Sequence, residues 1–119
     1  MKKLLIAGLI LVLAVGVVFA QQQRYRNGVQ TGTGVSYNSA SSQNNGSITV
    51  EVTFRSNKIT RIEVKEHTDT AAFVNMATRA MIPAMISANS SDVDTVSGAT
   101  YTAKGLKEAV ADAMTKARR

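Results

Sequence analysis

The amino-acid sequence predicts a small α+β domain, in which a mostly antiparallel sheet of three or four strands has helices packed on one face. Two observations predict this class. Residues 48–54 and 59–65 alternate apolar and polar side chains, the period-two pattern of half-buried strands. The C-terminal stretch after Ala99 instead repeats apolar residues at helical spacing. A hairpin followed by a closing helix can bury one shared core.

The first 20 residues differ in composition from the rest of the chain. Two lysines follow Met1, and a largely apolar run over residues 4–20 ends just before Gln21. This arrangement is typical of a secretory signal peptide, so we predict cleavage after Ala20 and an extracytoplasmic location. The run has 17 residues, close to the minimum for a membrane-spanning helix, so an uncleaved anchor is the alternative.

Composition narrows the chemistry that the rest of the chain can perform. The absence of cysteine excludes disulfides, thiol catalysis and iron–sulfur clusters. The single histidine, His67, does not predict a metal site and is interpreted as an exposed loop residue. The net charge is +6, but no basic stripe interleaved with aromatic residues predicts nucleic-acid binding. No Ser-His-Asp arrangement or carboxylate pair favours a hydrolase.

After the signal peptide we predict a polar arm over residues 21–30 and one domain over residues 31–119. Threonines and glycines alternate at the start of the domain, and residues 31–36 are interpreted as the first strand. Residues 37–47 are rich in Ser, Asn, Gln and Gly and are predicted to be a loop.

The clearest local prediction is an antiparallel hairpin formed by residues 48–54 and 59–65. Ser56-Asn57-Lys58 is its turn, where asparagine suits a positive φ. In this register Val52 faces the core and Thr53 faces away from it.

Two short helices are predicted after the hairpin. The first covers residues 71–80, with Asp69 or Thr70 as its N-cap. Its buried side is predicted to carry Phe73, Met76, Ala77 and Ala80. Proline is unfavourable inside a helix, so Pro83 predicts a break and a second helix over residues 82–88. Met76, Met81 and Met85 are interpreted as core-filling side chains.

The most informative stretch is Asp94-Thr95-Val96-Ser97-Gly98-Ala99-Thr100. A short strand over residues 93–96 is predicted to lead into it, and Thr100 or Thr102 is predicted to cap the last helix. The apolar stripe of that helix is Leu106, Ala109, Val110, Ala113, Met114 and Ala117. A helix start can bind a phosphate, and Gly98 and Ala99 add little bulk. The residues therefore permit an anion site at Thr100 without requiring one.

The motif Asp94-x-x-Ser97-Gly98-Ala99-Thr100 resembles the signature of the FMN-binding domain family, and the similarity covers most of the chain from about residue 32. The family includes the C subunit of the Na⁺-translocating NADH:quinone oxidoreductase and the G subunit of the Rnf complex. It also includes small extracytoplasmic proteins, which this chain resembles most. In the family the last threonine carries FMN through a phosphoester bond, made by a flavin transferase of the ApbE type.

The resemblance implies that Thr100 is the attachment residue. It also implies that the phosphate and recognition positions are Asp94, Ser97, Gly98 and Ala99. Family members place flavin-contacting residues in the loop before the first helix, which implies a role for Thr70. This chain has Asp69-Thr70-Ala71-Ala72 where relatives have a Glu-Thr-Pro-Gly-like turn. Tyr101 is interpreted either as a flavin contact or as a partly buried aromatic residue at the helix start.

The function that the resemblance implies is that of an extracytoplasmic electron carrier with covalent FMN, rather than a stand-alone enzyme. Its partners would be the ApbE-type transferase and a redox protein or membrane electron-transfer complex. Two alternatives stay open. One is a non-covalent FMN- or anion-binding module, in which Thr100 only hydrogen-bonds the phosphate. The other is a secreted interaction domain without flavin.

Overall fold

The computed structural model describes residues 24–38 and 41–119. The predicted signal peptide over residues 1–20 lies outside the described residues. In chain order the elements are strands β1 (Gly28–Asn38), β2 (Gln43–Arg55) and β3 (Lys58–His67), then helices α1 (Ala71–Ala88) and α2 (Thr100–Ala117). The three strands form one antiparallel sheet in the order β1-β2-β3. The predicted α+β class is therefore confirmed.

The hairpin of β2 and β3 is built as its sequence pattern predicts. Val52 pairs with Ile62 across the two strands and is fully buried, while Thr53 is only half-buried. Ser56 and Asn57 form the turn, and both have positive φ. One core joins the inward side of this sheet to both helices. Its largest fully buried side chains include Phe54, Ile48, Met81, Met85 and Leu106.

Helix α2 packs mainly on β1 and β2, and the glycines of β1 make this close approach possible. A Cβ atom on Gly32 would overlap the Ala109 carbonyl oxygen, and one on Gly34 would overlap the Gly105 carbonyl oxygen. A Cβ atom on Gly105 would lie 2.6 Å from the Ser36 Cβ. Since larger side chains would push the helix off the sheet, the alternating glycines set the helix–sheet distance.

The outer edge of β1 is partly covered by side chains of α2. The Thr33 amide donates to the Asp112 Oδ2 at 3.0 Å, and the Lys116 ammonium donates to the Thr31 carbonyl at 2.8 Å. Asp112 and Lys116 also form an ion pair at 3.4 Å. These contacts satisfy backbone groups that an edge strand otherwise exposes.

The loop predicted over residues 37–47 is shorter in the structure. β1 continues to Asn38 and β2 already begins at Gln43, so these strands form a second hairpin. The polar composition of the segment hides this pairing, because backbone bonds between two adjacent strands need no apolar alternation. Residues 39 and 40 lie outside the described residues.

The predicted break at Pro83 is wrong, because α1 is one helix of 18 residues with Pro83 inside it. A proline within a helix costs about 3 kcal/mol. Pro83 itself is exposed, while Met81 and Met85 on either side of it are fully buried, and this burial favours a continuous helix. The predicted buried side is also wrong in part. The buried residues of α1 are Val74, Ala77, Met81 and Met85, and Met76 is exposed.

The predicted strand over residues 93–96 is absent from the described residues, where this segment has no regular structure. Val93 and Val96 are half-buried and pack against the edge of the core. Their apolar side chains therefore reflect anchoring of the loop before α2 rather than strand pairing.

The described part of the predicted polar arm is docked on the domain. Tyr25 is 6% exposed and stacks on Phe54, with 5.0 Å between the ring centroids. The Arg26 amide donates to the Ala117 carbonyl at 2.8 Å, which joins this segment to the end of α2. β1 then begins at Gly28, within the arm predicted over residues 21–30. Neither α1 nor α2 has the length and hydropathy that a bilayer-spanning helix needs.

Candidate functional site

The first turn of α2 is the centre of the candidate site. Ala99 occupies the N-cap position and Thr100 is the first helical residue, so the prediction that Thr100 or Thr102 caps the helix is wrong. The first bond within the helix runs from the Ala103 amide to the Ala99 carbonyl at 2.8 Å. The amides that precede Ala103 in this turn have no carbonyl partner in the helix, as at any helix start.

The two threonine hydroxyls of this turn lie in opposite environments. Thr100 is exposed to solvent. Thr102 is 1% exposed, and its Oγ1 donates to the Asp69 Oδ2 at 2.7 Å. An external enzyme can therefore approach Thr100, whereas Thr102 is closed off from solvent.

In the loop before α2, one residue of the motif, Gly98, has a left-handed backbone conformation. Gly98 has a φ of 87°, which side-chain-bearing residues rarely adopt. A Cβ atom on Gly98 would meet only the Met76 Cε, at 3.7 Å, so the space beside this backbone is open. Ala99 is buried, and its amide donates to the Val96 carbonyl at 3.1 Å. The motif thus turns sharply at Gly98 and is fixed at Ala99.

A pocket of about 180 Å³ lies beside this turn. Its lining residues are Tyr37, Phe73, Gly98, Ala99, Thr100, Tyr101 and Thr102. Three of them are aromatic, and they come from β1, α1 and α2. Tyr101 is 53% exposed, and the Lys104 Nζ lies 6.0 Å from the centre of its ring. The pocket therefore combines an apolar aromatic wall with a polar helix start and a nearby cation.

The structure brings together only some of the residues singled out from the sequence. Gly98, Ala99, Thr100 and Tyr101 line the pocket. Ser97 is exposed on the adjoining turn. Asp94 instead borders a separate open groove of about 600 Å³ between α1 and the loop before α2. Thr70 is the N-cap residue of α1, but its side chain makes no capping bond.

Tyr37 and Phe73 are pocket residues that the sequence did not reveal as such. Tyr37 lies at the end of β1, within the segment predicted to be a loop, and the sheet brings it beside α2. His67 is exposed, as expected, but it is the last residue of β3 rather than a loop residue, and its Nδ1 lies 3.1 Å from the Asp69 carbonyl oxygen. No group of three possible metal ligands occurs in the described ranges 24–38 and 41–119.

Helical periodicity indicates that Thr102 is buried, although it does not identify Asp69 as its partner. Residue 102 precedes Leu106 and Ala109 by four and seven positions, so it lies on the same buried stripe. A hydroxyl on that stripe needs a buried partner, and Asp69 supplies it.

The model of the FMN-binding domain family matches residues 44–115, which is more than half of the chain. The chain belongs to this family. The match spans β2, β3, α1 and most of α2, including the motif, whereas β1 and Tyr37 precede it. Among curated proteins, none matches the chain.

The site of this FMN-binding domain fits a flavin phosphate. α2 has no acidic residue in its own first turn, and the carboxylate of Asp69, which is bonded to this turn at Thr102, is 8% exposed and lies on the buried side. A pocket of about 180 Å³ is smaller than those that enclose a whole drug-sized ligand. It therefore suits part of FMN and leaves the rest accessible. Family membership and this geometry both support FMN as the cofactor.

Proposed function

We propose that this FMN-binding domain is an extracytoplasmic electron carrier whose FMN is joined by a phosphoester bond to Thr100. The observation that carries the proposal is the contrast between exposed Thr100 and buried, hydrogen-bonded Thr102 in one helical turn. The bound FMN supplies the redox chemistry, and the chain anchors and orients it. A covalent anchor suits a protein outside the cell, where a dissociated cofactor is lost.

The chain's own residues divide the work of holding the cofactor. The amides at the start of α2 and its helix dipole stabilise the phosphate. Gly98 and Ala99 leave space at the backbone, as the open surroundings of Gly98 indicate. Tyr37, Phe73 and Tyr101 offer an aromatic wall to the apolar part of the flavin.

Attachment requires a second protein, for which we propose the ApbE-type flavin transferase. The Thr100 Oγ attacks the FMN phosphorus of a flavin dinucleotide and forms the new P–O bond. The pyrophosphate bond breaks, AMP leaves, and the hydroxyl proton passes to a base of the transferase. This reaction is balanced without an oxidant, because the dinucleotide carries the activated phosphate.

Export is the second part of the proposal. The apolar run over residues 4–20 after two lysines supports a secretory signal. The redox partner that we propose, a protein or a membrane electron-transfer complex, would then lie outside the cytoplasm. The intact mass of the protein from its native host reports both the attached flavin and the cleavage of the signal peptide. We expect the mass of residues 21–119 with one FMN joined by a phosphoester bond. A mass beginning at Met1 would instead favour a membrane-anchored protein.

The attachment residue is tested by Thr100→Ala in cells that also express the transferase. This change removes the exposed hydroxyl and no capping bond, since no side chain caps α2. We expect a folded protein without covalent flavin. Thr95→Ala is the matched control, because Thr95 is an exposed threonine of the loop before α2, and this variant should remain labelled.

Flavin fluorescence on a denaturing gel and peptide mass mapping give the readout. Flavin on folded Thr100→Ala, or flavin mapped to another residue in the unmutated chain, would contradict the assignment. Yellow colour that is lost on denaturation would favour the non-covalent module. A colourless protein after co-expression would favour an interaction domain without flavin.

A further inference from the structure

One carboxylate lies at the N-terminal ends of both helices. The Asp69 Oδ1 accepts a hydrogen bond from the Thr70 amide at 2.6 Å, at the start of α1. The Asp69 Oδ2 accepts from the Thr102 hydroxyl at 2.7 Å, in the first turn of α2. Asp69 is 8% exposed, so this contact is formed away from solvent. It joins residues that are 33 positions apart in the chain.

Both helices lack the usual stabilising groups at these ends. Neither α1 nor α2 has an acidic residue in its first turn, and neither has a side-chain capping bond. A negative charge near a helix N-terminus is favourable, and a hydrogen bond to a carboxylate is stronger than one between neutral groups. From the loop before α1, Asp69 therefore supplies the negative charge and the side-chain hydrogen-bond acceptor that the starts of both helices lack.

The contact also fixes the two walls of the pocket relative to each other. Phe73 belongs to the first turn of α1 and lines one side, while Thr100 and Tyr101 belong to the first turn of α2 and line the other. Asp69 and Thr102 connect these turns from the buried side. Loss of the contact would let the start of α2 move relative to Phe73.

We infer that Asp69 and Thr102 are positioning residues, which hold the first turn of α2 so that the Thr100 hydroxyl is presented to the flavin transferase. This inference rests on the proposed attachment of FMN to Thr100. Asp69 does not line the pocket, and Thr102, which lines it, has its hydroxyl bonded to Asp69. They act through the position of Thr100, and displacement of a reacting atom by about 1 Å can cost about 100-fold in rate.

The test measures flavin transfer to the purified full-length chain by purified ApbE-type transferase with FAD. Thr102→Val keeps the shape of the side chain and removes the hydroxyl, and Asp69→Ala removes its acceptor. We expect the kcat of transfer to fall by about tenfold or more in each. The KM for the chain should change little, because the loop over residues 94–99 is unaltered.

Two further variants separate positioning from general stability. Thr102→Ser restores the hydroxyl and should restore most of kcat. Val50→Ala shortens a fully buried side chain of β2, so it weakens the domain away from the pocket and should leave kcat unchanged. The double variant Asp69→Ala/Thr102→Val should be no slower than the slower single variant, since both changes break the Asp69–Thr102 bond.

The outcomes distinguish failure of this inference from failure of the proposed function. An unmutated chain that accepts no flavin would overturn both. A labelled unmutated chain, with Thr102→Val equally fast, would overturn the positioning role alone. If Thr102→Val and Asp69→Ala do not fold, as judged by thermal melting, Thr102→Ala takes their place. It removes the hydroxyl and places no larger apolar group beside the Asp69 carboxylate, and an unchanged kcat in that variant would overturn the role as well.

Discussion

At the scale of single residues, Gly98 sets the direction in which the chain enters α2. Its φ of 87° lies in a region that residues with a Cβ atom occupy only with strain. The surrounding space is open, with the Met76 Cε as the sole near neighbour within the described chain. Backbone conformation, more than crowding, therefore explains glycine at this position.

This distinction predicts different effects for two substitutions of Gly98. Gly98→Ala should lower the free energy of unfolding by about 1–3 kcal/mol through backbone strain, while the protein still accepts flavin. Gly98→Val should cost at least as much and also block close approach to the backbone, so that labelling is lost. Thermal melting and flavin fluorescence on denaturing gels measure the two effects. Equal labelling of the two variants would show that space beside Gly98 is not required.

The sequence predicts the environment of a single residue poorly where that environment depends on long-range contacts. The position of Thr100 at the helix start was predictable, because small residues precede a clear helical stripe. The apolar stripe omits Thr102, which lies on the same face of the helix and is buried. Tyr37 and Phe73 could not be assigned to the pocket, since no local pattern says which strand end lies beside α2. Their roles depend on the pairing of β1 with β2.

At the scale of elements, alternation predicts strands well only where one face is buried. β2 and β3 show it over their central residues, and their hairpin is predicted with its turn. The pairing of residues 43–47 with β1 is invisible to this pattern, because those residues are polar. Pro83 predicts a break that the structure does not have, since burial on both sides of it keeps α1 continuous.

The register of β2 can be tested directly with one substitution on each face of the strand. Val52 is fully buried against the helices, and Thr53 is half-buried on the other face. Val52→Asp should lower the free energy of unfolding by about 3–5 kcal/mol, because it places an unpaired charge in the core. Thr53→Asp is the matched control and should cost far less. If chemical denaturation gives the two variants similar midpoints, the register is wrong.

At the scale of the whole molecule, backbone hydrogen bonds join the two ends of the described chain. The Arg26 amide donates to the Ala117 carbonyl, and the Arg119 amide donates to the Arg24 carbonyl at 3.0 Å. The Tyr25 amide donates to the Asn57 Oδ1 at 2.8 Å, which adds the β2–β3 turn to this cluster. The segment before β1 thus belongs to the folded domain.

Tyr25 is the residue through which this docking can be measured. Its ring stacks on Phe54 in the core, so Tyr25→Ala should cost about 3–5 kcal/mol, the range for loss of a large buried aromatic side chain. For a domain of this size, each kcal/mol lowers the melting temperature by about 4–8 °C. Tyr25→Phe keeps the ring and should melt close to the unmutated protein. Trypsin should also cleave after Arg26 faster in Tyr25→Ala, because the segment then leaves the end of α2. Unchanged melting and cleavage would instead support the loose arm that composition alone predicts.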